Sequence, residues 1–220
     1  LDLMYGLPGQ ETQAWRTTLE QALSLRPEHL SIYELTLEEG TPFFRQYVQG
    51  QFSLPEEEVV LLMLEDTWQQ LHQAGLQRYE ISNYARPGRQ CQHNITYWQN
   101  GEYLGFGAGA VAFLAGTRST ALADAEQFCL CLEQGEEVWA EKELLDQEAS
   151  FRETVIMGLR MTAGFSLAEL NERFAIDAES YYGETLDRLL QQGLLRVMQG
   201  RLQLTAEGLL LANAVMAELV

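Results

Sequence analysis

The apolar positions of this chain change period several times, and each change predicts an element. LDLMYGL is a nearly continuous apolar run, the pattern of the end of a buried strand. Leu7-Pro8-Gly9-Gln10 then turns the chain. Thr12 is placed to cap a helix reaching about Leu25, with Trp15, Leu19, Ala22 and Leu23 on one face and Pro27 ending it. HLSIYELTL reads as the next strand. Strand, helix and strand at this spacing predict a βαβ unit with parallel pairing and a right-handed crossover. A ligand of such a sheet sits at the carboxyl ends of the strands, here MYGLPG and ELTLEEGTPF.

Ser53-Leu54-Pro55-Glu56 has the form of a capping box with a proline in the first turn. The helix it opens should reach Ala74, with Val59, Leu62, Met63 and Leu71 inward and Glu56, Glu57 and Glu58 at its positive end. RYEISNYA predicts a further strand, and a helix from about Ala123 to Glu133 should stop at Gly135. From about Leu144 the spacing becomes helix–turn–helix. One helix runs through Met161, a short one covers SLAELNERF, and a third covers SYYGETLDRLLQQ up to Gly193. LLRVMQGRLQLT then predicts a two-stranded wing turning at Gln199-Gly200, before a closing helix.

Composition narrows what these elements can do. Of 220 residues 46% are apolar and 21% charged, which is globular, and no apolar run is long enough to span a bilayer. Thirty-two acids against 14 bases give −18, with Lys142 the single lysine, so no basic cluster tracks a phosphate backbone. The winged-helix-like stretch, 144–220, carries 11 acids and 6 bases, a net −5. That charge argues for a packing or protein-contact module and against nucleic acid. Three cysteines (Cys91, Cys129, Cys131), without a signal peptide, fit a reducing, cytoplasmic setting. No CxxC pair occurs, and Cys129 and Cys131 should point to different faces of their helix. The chain opens without methionine and with a strand already under way, which suggests a polypeptide entered in mid-domain.

Candidate chemistry concentrates between Cys91 and Val111. His93, Asn94, Tyr97 and Trp98 fall within six positions, followed by glycines at 101, 105, 107 and 109. Read as a strand, alternating glycines leave one face bare for another backbone or a flat ligand, or they mark a bulge. Either His93 caps a tight hairpin, or it handles a metal or a proton on a ligand platform. Asp2, ahead of the Gly6-Leu7-Pro8-Gly9 turn, could accept hydrogen bonds from a ribose or amino group, or merely join strand to helix. Glu34 and Glu80 are strand acids for which a cavity and solvent are equally open.

Three segments, DLMYGLPGQ, HLSIYELTLEEGTPF and YEISNYARPGRQCQHNITYWQNGEYLGFGAGA, together resemble the HemW group of radical S-adenosylmethionine (SAM) proteins. That group is related to oxygen-independent coproporphyrinogen III oxidase. The resemblance covers nearly the whole chain, and its most specific element is HNxxYW. It implies an α/β fold: the C-terminal part of a partial (βα)6 radical SAM barrel, then a small α-helical winged-helix-like domain. Residues 1–120 would hold the barrel part with the HNxxYW and glycine-rich extension, 121–143 a connecting helix and linker, and 144–220 the final domain. The family's cofactors are SAM and a [4Fe-4S] cluster held by a CxxxCxxC motif that this sequence lacks, so no cluster cysteine is in this chain and this stretch alone should be inactive. The resemblance assigns SAM contacts to Asp2, Met4 and Thr36. It assigns haem contacts to His93, Asn94, Tyr97 and Trp98, with His93 as ligand to the haem iron, and no catalytic residue. Where the family commonly reads GAGAHS, this chain has Val111 in place of the histidine.

Two functions follow from the resemblance. One is a haem chaperone that passes haem to acceptor proteins, membrane-associated ones among them, with a homodimer compatible. The other is radical oxidative decarboxylation of coproporphyrinogen III. HNITYW favours the first, because the oxidases as a rule lack it. A nucleic-acid-binding regulator is disfavoured by charge.

Overall fold

A computed structural model describes residues 1–220. The chain divides into two compact units, Leu1–Gln90 and Cys91–Val220.

In the first unit β1 (Asp2–Tyr5), α1 (Thr12–Ser24) and β2 (His29–Glu34) form the expected parallel βαβ unit, with Met4 beside Tyr33. Helices α2 (Pro42–Val48) and α3 (Glu57–Gln73) and the short strands β3 (Gln77–Arg78) and β4 (Asn83–Ala85) follow. The sheet order is β1-β2-β4-β3, and β4 runs antiparallel to both neighbours. Tyr5, Leu30 and Ile32 from the sheet meet Trp15 and Leu19 of α1 and Met63 and Leu71 of α3 in one core. Trp15 anchors it, its Nε1 donating to Thr67 Oγ1 at 2.9 Å and to the Met63 carbonyl at 3.1 Å.

Several local expectations for this unit are corrected. Glu11, not Thr12, occupies the cap position of α1, and its side chain makes no capping bond. The Ser53–Glu56 box does not form: α3 starts at Glu57 with Glu56 as cap, and Leu62 points outward. RYEISNYA is not one strand, because the Glu80 carboxylate accepts from the Ser82 N–H at 3.2 Å and from the Asn83 amide. Those bonds, with Arg78 Nε donating to the Ile81 carbonyl at 2.9 Å, turn the chain between β3 and β4.

The second unit opens with α4 (Gln92–Trp98) and a three-stranded antiparallel sheet of β5 (Val111–Leu114), β6 (Thr117–Ala121) and β7 (Trp139–Leu144). Helix α5 (Ala125–Gln134) lies between β6 and β7 in sequence and ends at Gly135 in the left-handed conformation. Then come α6 (Gln147–Leu159), β8 (Phe165–Ser166), α7 (Leu167–Phe174), α8 (Ala178–Gln191), β9 (Leu195–Met198), β10 (Arg201–Leu204), α9 (Ala206–Leu210) and α10 (Ala212–Ala217). This is the expected winged helix. Asp146, Ser166, Asp177 and Thr205 cap α6, α7, α8 and α9 by accepting backbone N–H bonds. Gln199 and Gly200, at φ 54° and 73°, supply the two left-handed residues of a tight hairpin turn. β10 also pairs with β8, and a Cβ on Gly164 would sit 1.9 Å from the Leu202 carbonyl oxygen. No helix is long and apolar enough to cross a membrane.

Candidate functional site

The segment with the densest chemistry is not a strand. HNITYW lies on helix α4, and residues 104–110 form a loop joined to the sheet through Tyr103, which bridges Phe113. The glycines have separate reasons. A Cβ on Gly105 would lie 2.2 Å from the Val111 carbonyl oxygen, so at this position it is backbone, not a flat ligand, that approaches. Val111 itself is half-buried at the start of β5, opposite Thr120.

A helix turns about 100° per residue, so α4 presents HNITYW on more than one face. His93 and Tyr97 share a face, with ring centroids 4.5 Å apart. Tyr97 meets Tyr103 edge-on at 4.5 Å, and Tyr103 leads to Phe113 at 6.5 Å. His93 is exposed, and no hydrogen bond holds its ring; Cys91, not His93, is the cap residue of α4. Burial pushes the Tyr103 phenol above its ordinary pKa. Trp98, about 100° round from Tyr97, packs under the Arg160 guanidinium at 4.6 Å, and its Nε1 is buried without an acceptor. Asn94 is half-buried, one turn before Trp98. The structure therefore joins His93 with Tyr97 and sets Trp98 apart.

Sequence reasoning missed the residues that fix α4. Asn100, in the left-handed conformation at φ 48°, donates through Nδ2 to Thr154 Oγ1 at 3.0 Å. Arg173 of α7 donates to the carbonyls of Gln99 at 3.3 Å and Asn100 at 3.0 Å. Asn100-Gly101 is a turn dipeptide, the one sequence signal that this end was special.

In the first unit Asp2 and Met4 lie on the sheet face opposite the core, about 7 Å apart along β1. Met4 and its neighbour Tyr33 are 45% and 43% exposed, so this face is open. Asp2 begins β1 rather than ending it, whereas exposed Thr36 lies two residues past the end of β2. Glu34 is exposed and accepts a 3.4 Å bond from the Tyr5 hydroxyl, while Glu80 is fully buried in its turn. The His29 imidazole is held below its ordinary pKa, mainly by burial, and bonds the Tyr79 hydroxyl at 2.8 Å. No disulfide joins Cys91, Cys129 or Cys131, and no three His, Cys, Asp or Glu side chains gather as a metal donor set. A [4Fe-4S] cluster thus has no fitting ligands among these residues.

Comparison with known proteins agrees with this architecture. Residues 145–211 match the HemN C-terminal domain. Heme chaperone HemW of Bacillus subtilis (strain 168) is 34% identical over 215 residues, which cover 98% of this chain and 57% of that protein. HemW of Mycobacterium tuberculosis (strain H37Rv) is 33% identical over 220 residues, 100% of this chain and 54% of the relative. The chain thus spans about half the length of these relatives. The solved structure of coproporphyrinogen III oxidase (HemN) from Escherichia coli, a radical SAM enzyme, matches 99% of this chain and 54% of its own, with TM-score 0.79 and 21% identity. That likeness shows the shared α/β fold. Along nearly its whole length the chain is thus similar to HemW haem chaperones, and residues 145–211 match the HemN C-terminal domain.

Proposed function

We propose that this chain is part of a haem chaperone, and that α4 presents His93 to the iron of the haem it carries. The observation behind this reading is the exposed imidazole of His93, backed by Tyr97 and Tyr103 and held by no hydrogen bond. An imidazole nitrogen is a standard haem-iron ligand, and each aromatic face adds contact worth about 1 kcal/mol. Haem is cargo here, and haem-accepting proteins are the partners, membrane-associated ones included. A homodimer and a cytoplasmic location, in keeping with three cysteines that form no disulfide, belong to the same reading.

Asp2 and Met4 on the open sheet face, and Thr36 just past the end of β2, suit SAM: a carboxylate to accept from hydroxyl or ammonium groups, a thioether for apolar contact and a hydroxyl. SAM bound to a reduced cluster supplies radical chemistry, for which this chain offers positioning residues and no cluster ligand. The alternative, oxidative decarboxylation of coproporphyrinogen III, rests on the fold likeness to HemN, which at 21% identity does not reach activity.

Titration of the intact protein with haem, followed by the Soret band, tests the chaperone reading. His93→Ala should shift the Soret maximum and weaken binding about tenfold or more. An unchanged spectrum and affinity in the folded variant would remove His93 from the site. Robust protoporphyrinogen formation by the intact protein would favour the oxidase instead.

A further inference from the structure

Trp98 lines a cleft of about 410 Å³ formed within the second unit by α4, α6, α7, β8 and β10. That volume is within the range of small-molecule sites. Met161, Phe165 and Leu170 give it apolar walls, and Arg173 and Arg201 reach it from α7 and β10. Both guanidiniums are aimed by backbone carbonyls and neutralised by no acid. Arg173 is held by Gln99 and Asn100, and Arg201 donates to the carbonyls of Ala163 at 2.9 Å and Gly164 at 2.7 Å. Neither joins an ion pair, although the chain has 32 acids and Arg16, Arg118 and Arg188 all do. Glu169 also lines the cleft, which leaves two cations against one anion. Each guanidinium keeps N–H donors beyond the two it uses, in a geometry that suits a carboxylate.

Trp98 supplies a second, independent sign. Its buried Nε1 has no acceptor, whereas that of Trp15 has two. A buried donor without a partner is costly, so Trp98 brings an unsatisfied group to the wall of the cleft.

We propose that this cleft is a second ligand site, which takes a flat apolar molecule bearing an anionic group such as a carboxylate. The ring lies against Trp98 and Phe165, and Arg173 and Arg201 hold the anion. The site goes beyond the haem reading: it is on another face of α4 from His93 and needs no iron.

The test uses two fluorescent probes that share a ring system and differ in charge. 1-Anilinonaphthalene-8-sulfonate carries the anion, and N-phenyl-1-naphthylamine does not. With the intact protein, the combined Arg173→Gln and Arg201→Gln variant should weaken the sulfonate about tenfold or more and leave the neutral probe unchanged. His93→Ala should alter neither. Equal loss of both probes, no loss of either, or loss of the sulfonate in His93→Ala would each overturn the proposal. Should the double variant not fold, wild-type salt dependence decides. Affinity for the sulfonate must fall with ionic strength while the neutral probe holds, and parallel behaviour of the two sinks the idea.

Discussion

Both units bury large side chains, but only the second also brings backbone against glycine more closely than a Cβ would allow. In residues 1–90 the core is filled by large side chains between sheet and helices, with Trp15 fully buried at its centre and bonded to α3. In residues 91–220 large side chains such as Phe151, Leu186 and Leu189 are fully buried too, but backbones also touch, as at Gly164 against the Leu202 carbonyl. Side-chain packing tolerates a smaller ring at a graded cost, because neighbours relax part-way into the space. Backbone contact has no such margin: a carbonyl oxygen held in a strand ladder cannot step aside. The smallest residue can therefore be the least replaceable one.

Substitutions can break that contrast. Gly164→Ala should have the largest effect, about 3 kcal/mol or more, since a left-handed φ of 57° adds strain to the overlap with β10. Urea unfolding would show it, and a loss below about 1 kcal/mol would mean that β10 can move. Trp15→Phe should cost less, about 1–3 kcal/mol, for the lost indole bonds and part of the ring's burial. If it cost more than Gly164→Ala in the same assay, the ranking of the two kinds of contact would reverse. The smallest effect is electrostatic. His29 has its folded pKa below its ordinary 6.5, so the unfolded chain binds more protons between those values, and stability rises with pH there. The contribution is complete above about 6.5 and is lost as pH falls toward the lowered value. His29→Gln should flatten the pH dependence of Tm in that window, and an identical slope in wild type and variant would contradict the assignment.

How much of this was legible in sequence follows from how far apart the partners lie. The winged helix is written locally, in caps such as Ser166 and Asp177 and in the Gln199-Gly200 turn. So is the first βαβ unit, through the periodicity around Trp15 and Leu19. The form of α4 was not legible. It has seven residues and no side-chain cap, and it is followed by glycines whose spacing imitates a strand. What fixes its C-terminal end, Thr154 and Arg173, lies 54 and 73 residues from Asn100. RYEISNYA failed for a local reason that periodicity does not register, the Glu80 carboxylate folding back on its own turn. HNITYW was found as a motif, but its division between two helix faces needed the helix to be known first.

The close approach of Gly105 to Val111 also bears on entropy. With the Gly109 N–H bonded to the Leu122 carbonyl at 2.8 Å and Tyr103 bridged to Phe113, the loop between them is tied at both ends. Phe106, 86% exposed at its tip, is therefore held out on a backbone whose freedom was already given up when the chain folded. Covering that ring would carry little further ordering cost for the loop, unlike covering an equally apolar residue on a mobile segment. Exposure and looseness, which so often go together at loop tips, are separated here by a single missing methyl group.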